Sequence, residues 1–584
     1  MSDSENTPLY FRYWGKASPS DATDDGSRYH LLPYHCLDVA AVAQQLLDPE
    51  KALCQRLAEQ LQVKPSWLQN WFTFCLALHD LGKYSSAFQG LVSGLSEALV
   101  AAGNEAYDER HDSLGYLIWK EQLSDSLWDD AWQYGFVWNE KGLAKLALDP
   151  WLRIVTGHHG EPPLESLRDS ARWFSGDDQR AAYEFVVDLT ALLSPDFLPL
   201  KDSTLRKRLA HVSWQLAGIA VLADWSGSDQ SIFSYQSEPM LLAQYWDRYA
   251  LPAAEKAILK MQPEPVAVRP FSGIDKLFSF IQQPTPLQQL AAQVELPHSP
   301  QLWILEDVTG AGKTEAALTL CSRMMSQGLA DGVYIGLPTM ATANGMYRRM
   351  SDSYRLLFTE DSQPSLILAH GARQLSKQFV DSVFLSEQLR DQNYSAGELS
   401  ATAYCNSWLA DNRKKALFSD VGVGTLDQAL LAVLPARHQS LRLLGLQSKV
   451  LLVDEVHAYD PYMQSLLCAL LHAHALQGGS AILLSATLPK MMRETLLRAY
   501  SRGRGDTAPP VKDDYPLVTL CCGDNSIEYP VASRGSVCRD LAVRQLTEFQ
   551  QVREQIQTAL LRGQSVCWIR NTVGDAREAW RIAH

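Results

Sequence analysis

Short apolar runs alternate with helical segments from Trp303 onward, and this alternation limits the possible folds more than any other pattern in the chain. The runs read WILEDV, GVYIGLP, PSLILAH, VGVGT, KVLLVDE and SAILLSA. Each has the length and the glycine or proline bounds of a buried parallel strand. The alternation therefore predicts a doubly wound α/β domain, in which helices cover both faces of one sheet.

The rest of the chain divides around this domain. Residues 1–250 contain 12 of the 16 tryptophans and several amphipathic stretches, which predicts an all-α domain. The Pro-rich residues 251–285 predict a linker, and residues 286–505 contain the α/β domain. Residues 506–540 predict a second connecting segment. Residues 541–584 contain the apolar run QSVCWIRN and a helix start, which predicts the beginning of a second α/β domain that we expect to be incomplete.

Charge and cysteine content argue against several classes of protein. The formal net charge of −14 disfavours coating of nucleic acid by bulk charge, although a local basic groove stays compatible with it. The first residues, MSDSENTPLYFRYWGK, lack the features of a signal peptide, and no apolar stretch reaches the length of a membrane span. The ten cysteines include no CxxC pair. This pattern predicts neither a zinc ribbon nor a disulfide framework, and it favours a cytoplasmic protein.

A glycine-rich turn, TGAGKT, follows the first apolar run and precedes the helical segment EAALTLCSRMM. Backbone N–H groups in such a turn point at an anion bound at the helix N-terminus. Lys313 would reach the β- and γ-phosphates of a nucleotide, and the Thr314 hydroxyl would bind Mg²⁺. The strict phosphate-loop pattern has glycine where this chain has Asp307. The predicted ATP-binding loop is Thr309, Gly310, Ala311, Gly312, Lys313 and Thr314.

Two later runs carry polar residues at the ends of predicted strands. KVLLVDEVH ends in Asp454, Glu455 and His457, and LLSATLP contains Ser485 and Thr487. Asp454 would hold Mg²⁺ through water, and Glu455 would orient the attacking water as a catalytic residue. The alternative is a capped turn, but carboxylates at the end of a buried strand need a metal ion or a hydrogen-bond donor.

The helical part contains histidines and aspartates in a pattern that suits metal ions. The segment WFTFCLALHDLGK predicts a helix that ends at His79 and Asp80, with Gly82 as its terminator. Asp224 ends the helix HVSWQLAGIAVLAD, which is apolar nearly all round and should be buried. N and O ligands without thiolate suit Fe, Mn, Co, Ni or Zn, and two ions would clamp a phosphodiester and activate a water. The candidate ligands are His35, His79, Asp80, His111, His158, His159 and Asp224.

The order H…HD…H…HH…D resembles the HD phosphohydrolase superfamily. This resemblance implies that Asp80 bridges two ions and that Lys83 is a catalytic cation facing the phosphate; the alternative for Lys83 is a solvated helix end. His30 and His211 match no position of the pattern, and we expect each to be a satisfied polar side chain.

The α/β part resembles the ATPase core of superfamily 2 helicases, with TGAGKT as motif I, DEVH as motif II and SAT as motif III. The resemblance implies coupling roles for His457, Ser485 and Thr487. It implies that Gln288 reads adenine and that Asn571-Thr572 opens motif IV. Residues implied to track the DNA backbone are Pro338, Thr339, Thr425, Asp427 and Gln428, whose alternative role is ordinary helix capping.

An HD nuclease fused ahead of a DEVH helicase resembles the CRISPR-associated nuclease-helicase family, the effectors of type I systems. The stretches YWGK, ALHDLGK, VTGHHG, LADW, LILAHG and VDEVHAYD are similar to the type I-E branch. The resemblance implies recruitment by a crRNA-guided surveillance complex (Cascade), nicking of the displaced single strand and ATP-driven 3′–5′ translocation. It implies two ions of Fe, Mn, Co or Ni in the HD site, with Mg²⁺ and ATP in the motor.

No stretch matches motifs V and VI or the C-terminal accessory domain of that family. We therefore expect a C-terminally truncated chain with a retained nuclease and an incomplete motor. Two other interpretations stay open. The chain could be an HD hydrolase of small or cyclic nucleotides with a regulatory ATPase half, or a non-catalytic protein that docks on the guide complex.

Overall fold

The computed structural model divides the chain into two compact units, residues 1–533 and 534–584. The first unit contains a helical region, which extends to residue 261, and a sheet region, which begins at residue 266. The residues that the structure describes are 7–17, 28–92, 94–101, 106–132, 138–261, 266–351, 353–362, 364–369, 417–436, 438–507, 512–532 and 542–583.

Helices dominate the helical region. They are α1 (Leu32–Leu46), α2 (Ala52–Leu61), α3 (Pro65–Leu76), α4 (Ser86–Gln89), α5 (His111–Ile118), α6 (Ser124–Ser126), α7 (Trp138–Thr156), α8 (Gly176–Leu193), α9 (Leu205–Gly227), α10 (Leu242–Tyr245) and α11 (Leu251–Met261). π-helical turns lie at Trp119–Leu123, Leu127–Ala131 and Trp246–Ala250, and 3₁₀ turns at Leu9–Arg12, Leu81–Tyr84, Ser170–Arg172 and Leu198–Lys201. Among the described helices, α9 is the longest, with 23 residues, and none of them combines the length and apolarity needed to cross a membrane.

The tryptophans explain how this region builds its core. Trp71, Trp128 and Trp151 are fully buried, and the indole of Trp71 stacks on that of Trp67 with 5.6 Å between ring centroids. Such large apolar side chains dominate the burial energy of a core. The all-α prediction is confirmed, with the exception of a short antiparallel hairpin of β1 (Trp14–Ala17) and β2 (Tyr29–Leu31).

The helical region extends beyond the predicted boundary at residue 250. Helix α11 packs against α1, and its residues Ala254, Ala257 and Ile258 are buried in the same core. Their spacing places them on one helical face. Residues 251–261, predicted as part of the linker, are therefore a core helix, because the apolar spacing rather than the proline content decides where the chain packs.

The sheet region contains one eight-stranded sheet in the order β10-β9-β3-β8-β7-β4-β6-β5. The six predicted strands are present and mutually parallel. The strands are β3 (Leu302–Glu306), β4 (Gly332–Leu337), β5 (Leu366–Ala369), β6 (Val421–Thr425), β7 (Lys449–Val453), β8 (Ala481–Ser485), β9 (Leu517–Cys522) and β10 (Asn525–Pro530). His370 and Gly371, the end of the LILAHG stretch, lie outside the described residues.

Helices cover both faces of this sheet, which confirms the doubly wound architecture. Alternate residues of β3 belong to two different cores: Trp303 and Leu305 to one, Leu302 and Ile304 to the other. This alternation follows from the two-residue period of a strand. The helices are α12 (Ile274–Leu277), α13 (Pro286–Gln293), α14 (Lys313–Ser326), α15 (Met340–Ser351), α16 (Leu426–Leu430), α17 (Gln439–Gln447), α18 (Pro461–Leu476) and α19 (Lys490–Arg504), with 3₁₀ turns at Tyr354–Leu357 and Val456–Ala458.

The segment 506–540, predicted as a connection, contains the two strands β9 and β10. Strand β9 runs antiparallel to β3, and β10 runs antiparallel to β9. The charged and Pro-rich sequence before residue 517 suggested a connection. The strands form because β3 presents an open edge, whose unpaired N–H and C=O groups β9 satisfies.

The second unit contains the helices α20 (Phe549–Leu561) and α21 (Val573–Ala583). The predicted strand at residues 564–571 is wrong, since those residues have no strand structure. A strand needs a neighbour for its backbone hydrogen bonds, and residues 542–583 include no strand that could pair with it. Thr572, predicted to open motif IV, accepts a hydrogen bond from the Asp575 N–H at 3.1 Å and so caps α21.

Helices α9 and α17 meet at Gly218, and this contact joins the helical and sheet regions. A Cβ atom at residue 218 would lie 2.7 Å from the Ser440 carbonyl oxygen and 3.0 Å from the Leu444 Cβ. Leu441 and Leu444 of α17 are buried within the core of the helical region. The sheet region therefore contributes a helix to that core.

We predict opposite effects from two glycine-to-alanine substitutions in helices. Gly218→Ala should lower the free energy of unfolding by about 1–3 kcal/mol, because the added methyl overlaps backbone that cannot move freely. Gly142→Ala in α7 is the matched control. Its Cβ meets no atom within 4 Å, so the better helix propensity of alanine should raise stability by up to about 1 kcal/mol. Urea unfolding of both variants measures the difference, and equal effects would contradict the close contact.

Candidate metal and nucleotide sites

The His79-Asp80 pair lies in a tight turn after α3. The helix ends at Leu76, and the backbone hydrogen bonds then tighten, with the His79 N–H donating to the Leu76 carbonyl at 3.0 Å. The predicted helix end is therefore too late by a few residues. Gly82 has a different role from the predicted one, since a Cβ there would lie 1.8 Å from the His111 carbonyl oxygen. Glycine is needed because this turn and α5 touch through their backbones.

The two oxygens of Asp80 face two different pairs of histidines. Oδ2 lies 3.2 Å from His35 Nε2 and 3.3 Å from His79 Nε2. Oδ1 lies 3.3 Å from His111 Nε2 and 3.4 Å from His158 Nε2. One carboxylate is thus shared between two sets of nitrogen donors, as a bridging ligand requires.

The remaining two predicted ligands complete these sets. His159 Nε2 lies 2.9 Å from His111 Nε2, on the Oδ1 side. Asp224 Oδ1 lies 3.8 Å from the Nε2 atoms of both His35 and His79, on the Oδ2 side. All seven predicted ligands therefore converge, and three subsets of them have their ligand atoms within 4.8 Å of one another: His35/His79/Asp80, His79/His158/Asp224 and His111/His158/His159.

Burial sets the protonation of this cluster. It lowers the pKa of His35, His158 and His159 well below the usual histidine value, so that these rings are neutral and can donate lone pairs. Burial opposes ionisation of Asp80, but the neighbouring His79 and Lys83 prevail and hold its pKa well below the usual value. Burial raises the pKa of Asp224. Neutral imidazoles around an ionised carboxylate are the forms that bind metal ions.

The orientation of the rings fits a metal site. The Nδ1 atoms of His79 and His158 lie 2.8 Å and 3.1 Å from the backbone carbonyls of Leu76 and Val155. A hydrogen bond from Nδ1 leaves the lone pair on Nε2, directed at the centre of the cluster. The Nε2 atoms of His35 and His79 are buried and have no hydrogen-bond partner, which is costly unless a cation occupies the centre.

Lys83 is not a solvated helix end, and its role as a phosphate-facing cation stays a prediction. Its side chain is buried, and Nζ lies 2.8 Å from Asp80 Oδ2 and donates to the Gly15 carbonyl at 3.2 Å. The ammonium therefore balances the charge of Asp80. Gly15 belongs to the YWGK stretch, and its contact with Lys83 joins residues too distant in sequence for any local pattern to reveal.

The two histidines left out of the pattern lie outside the cluster. His30 is buried, with Nε2 3.0 Å from Asp38 Oδ2, and its Nδ1 accepts the Gln236 N–H at 2.9 Å. The expectation of a satisfied polar side chain is confirmed for His30. His211 is exposed on α9.

The predicted phosphate loop connects β3 to α14. Gly310 and Gly312 have φ values of +85° and +83°, which glycine adopts readily. Lys313 Nζ donates to the carbonyls of Asp307 and Val308, at 2.7 Å and 3.1 Å. Burial lowers the pKa of Lys313, and the carboxylates of Glu455, Asp454 and Asp307 oppose this shift. A cation held only by carbonyls in an open turn can exchange them for phosphate oxygens.

Gln288 links α13 to this loop. Its Oε1 accepts the Thr285 N–H at 3.0 Å in a capping box, and its Nε2 lies 3.5 Å from the Gly312 carbonyl. A Cβ at Gly312 would lie 2.2 Å from that Nε2, so the amide packs directly on the loop. Both ends of the amide contact protein, and its reading of adenine stays a prediction.

The acidic motif and the SAT motif touch each other. Asp454 and Glu455 follow β7, and burial raises the pKa of Asp454. His457 Nδ1 lies 3.4 Å from Glu455 Oε2 and 3.1 Å from Ser485 Oγ, which also accepts the Thr487 N–H at 3.2 Å. His457 thus connects the two motifs, and its coupling role stays a prediction.

The predicted DNA-tracking residues lie at one edge of the sheet. Leu337 pairs with Thr425 at the carboxyl ends of the adjacent strands β4 and β6, which places Pro338 and Thr339 beside the start of α16. Thr339 Oγ1 accepts the Thr342 N–H at 3.2 Å and so caps the first turn of α15. Thr425 occupies the N-cap position of α16 without a side-chain capping bond. Gln428 is buried and Asp427 is half-buried.

The sequence analysis missed one ion pair in this site. Arg349 on α15 pairs with Glu315, the residue after Thr314 at the start of α14. The pair joins α14, which follows the predicted phosphate loop, to α15, which begins after Pro338-Thr339. The signal available in the sequence was only the TE dipeptide after Lys313, and no local pattern identifies Arg349 as its partner.

Comparison with known proteins agrees with this geometry. The family model described as Cas3, HD domain, matches residues 14–233. The CRISPR-associated endonuclease/helicase Cas3 of Escherichia coli is 34% identical over 87% of this chain and 57% of its own length. That of Thermus thermophilus is 31% identical over 95% of this chain and 58% of its own length. A crystal structure described as a CRISPR-associated protein covers 99% of this chain and 63% of its own, with a TM-score of 0.72 at 28% identity. The chain thus spans less than two thirds of the length of these relatives.

An HD domain implies divalent-metal binding, which the donor cluster fits.

We predict that the metal-free protein loses stability as the pH falls below about 6.5. His35, His158 and His159 have folded-state pKa values below the unfolded value. Below pH 6.5 the unfolded chain therefore binds more protons than the folded chain, and the free energy of unfolding falls. Each such group costs up to about 1.4 kcal/mol per pH unit. Urea unfolding of EDTA-treated protein at pH 7.5 and 5.5 measures this, and His158→Gln should reduce the difference. An unfolding midpoint independent of pH would contradict neutral buried histidines.

Proposed function

The chain belongs to the Cas3 family of CRISPR-associated nuclease/helicases, and on that premise we propose that it is a metal-dependent endonuclease of single-stranded DNA joined to an ATP-dependent 3′–5′ helicase core. The helical region supplies the nuclease and the sheet region the first ATPase domain. The observation that carries the proposal is Asp80, whose two oxygens face separate pairs of histidines.

The residues of the helical region would hold two ions of Fe, Mn, Co or Ni. His35, His79 and Asp224 would bind one, and His111, His158 and His159 the other, with Asp80 between them. When bound, such ions polarise a phosphodiester and lower the pKa of a coordinated water. The chain prepares the site by burying His35, His158 and His159 in their neutral form, by directing the Nε2 atoms of His79 and His158 inward through Nδ1 contacts, and by balancing Asp80 with Lys83.

The residues of the sheet region would bind Mg²⁺ and ATP. Lys313 would contact the β- and γ-phosphates, and Thr314 and Asp454 would hold Mg²⁺. Glu455 would orient the attacking water, and His457 would couple this carboxylate to Ser485. DNA would contact the carboxyl edge of the sheet at Pro338, Thr339 and Thr425, beside the ends of β4 and β6.

The family also suggests where the substrate comes from. The relatives carry the name CRISPR-associated, and we propose that a crRNA-guided surveillance complex presents the displaced strand to this chain. Base pairing with the guide would select the sequence. The chain itself would contact backbone and bases with little sequence preference.

We predict that Asp80→Asn removes both metal binding and cleavage. Asparagine keeps the volume and one oxygen that can accept from Lys83, but it cannot bridge two cations. Nicking of circular single-stranded DNA with Mn²⁺ should fall at least about a hundredfold, and metal analysis should find less than one ion per chain against two in the wild type. The exposed His211→Gln is the matched control and should cut normally. Full cleavage by Asp80→Asn would exclude the dinuclear assignment, and hydrolysis of cyclic nucleotides without DNA cleavage would favour a nucleotide hydrolase instead.

A second prediction separates the two sites. Lys313→Ala and Asp454→Asn should abolish ATP binding, because the phosphate and Mg²⁺ contacts are lost, while ATP-independent nicking of naked single-stranded DNA continues at the wild-type rate. Phosphodiester hydrolysis at a metal centre draws no energy from ATP. Fluorescent-nucleotide titration measures ATP binding, and nicking of circular single-stranded DNA measures the nuclease. Loss of ATP-independent nicking in either variant would contradict this division of labour.

A further inference from the structure

His438, which immediately precedes α17, lies between the two segments that carry ligands of the metal cluster. A Cβ at Gly160 would lie 2.6 Å from the His438 backbone nitrogen and 2.8 Å from its Nδ1. The His438 ring meets the indole of Trp225 edge-on, with 4.7 Å between centroids and planes at 70°. Gly160 follows His159 directly, and Trp225 follows Asp224.

The two neighbouring ligands belong to different halves of the cluster. His159 groups with His111 and His158, on the Oδ1 side of Asp80. Asp224 approaches His35 and His79, on the Oδ2 side. A displacement of His438 would therefore shift His159 and Asp224, which are ligands of different ions in the proposed site.

The glycine at residue 160 shows how close this contact is. Its φ is +87°, and its N–H donates to the Gly157 carbonyl at 2.9 Å, which closes the turn that carries His158 and His159. No larger residue could occupy this position, both because of the φ value and because of the His438 backbone. The His438 backbone therefore prevents the turn that carries His158 and His159 from moving toward α17.

His438 itself is held in an unfavourable conformation. Its φ is +63° at the N-cap of α17, a conformation that residues other than glycine, asparagine and aspartate adopt at a cost in free energy. The surroundings here are the packing of α17 into the helical region, with Leu441 and Leu444 in that core and the Ser440 carbonyl against Gly218. After Ser448 the chain continues into β7, which leads to Asp454 and Glu455.

We propose that His438 is a positioning residue of the nuclease centre, through which the ATPase region holds His159 and Asp224 in place. This inference rests on the proposed function of the cluster. It follows that α17 of the sheet region helps to hold the metal ligands in position, although it contributes no ligand itself. A ligand that is displaced slightly still binds the ion, but more weakly.

The test compares variants of the full chain titrated with Mn²⁺ after EDTA treatment. His438→Ala removes the ring, and we expect the Mn²⁺ dissociation constant to rise about tenfold with a matching loss of single-strand nicking at low Mn²⁺. Saturating Mn²⁺ should restore nicking, because all seven ligands are still present. His438→Asn is the second variant, since asparagine accepts the positive φ but lacks the ring, and it should behave like His438→Ala. Gln439 is the next residue and the first of α17. Gln439→Ala is the matched control and should bind Mn²⁺ as the wild type does.

Two further readouts separate positioning from a general loss of structure. ATP affinity and the urea midpoint of the metal-free protein should be unchanged in His438→Asn, whereas a merely structural defect would lower them together with Mn²⁺ affinity and would overturn the inference. Wild-type Mn²⁺ affinity in both His438 variants would overturn it as well. If the wild-type chain neither binds Mn²⁺ nor nicks single-stranded DNA, the proposed function fails, and this inference fails with it.

Discussion

The helical region is organised around one buried carboxylate, that of Asp80. Removing an ion from water costs several kcal/mol even after relaxation, and here the cost is offset by Lys83 at 2.8 Å and by four histidines at 3.2–3.4 Å. His79 and Lys83 lie in the same turn as Asp80, but His35, His111 and His158 come from α1, α5 and the turn after α7, so these elements must converge on a single point. Close approach at Gly82, against the His111 backbone, and at Gly15, against the His35 Cβ, makes that convergence possible. The tryptophan-rich core then encloses the site.

The sheet region solves a related problem with a different geometry. Its parallel strands end at one edge, and the residues that follow them therefore meet there: Asp307 after β3, Asp454 after β7 and Ser485 at the end of β8. Lys313 lies among these carboxylates, and burial and charge shift its pKa in opposite directions. Such a set of partly buried, unlike charges suits a ligand that brings phosphates and Mg²⁺ together, which is the reason that open α/β sheets bind nucleotides at this edge.

The two regions are not independent modules connected by a flexible segment. Helix α11 extends the helical core beyond the predicted linker boundary, and α17 of the sheet region buries Leu441 and Leu444 in the same core. A contact at Gly218 with no room for a methyl group shows that this packing is tight. Helix α17 consequently packs in the helical core and leads into β7, and His438, the residue before it, contacts Gly160 and Trp225, which follow His159 and Asp224.

Local patterns in the amino-acid order were enough to predict the six parallel strands, the glycine-rich loop between β3 and α14, the largely helical first part and the seven candidate metal ligands. Those features are recorded locally, as apolar periodicity, as glycines at a turn, and as histidines and aspartates within short motifs. Only the packed chain revealed that Lys83 neutralises Asp80, that residues 517–530 complete the sheet, that residues 564–571 form no strand, and that Glu315 pairs with Arg349. The contact of His438 with Gly160 belongs to the same group. Each of these depends on which distant segment lies alongside, because charge compensation, strand pairing and close packing act between residues that no local pattern relates.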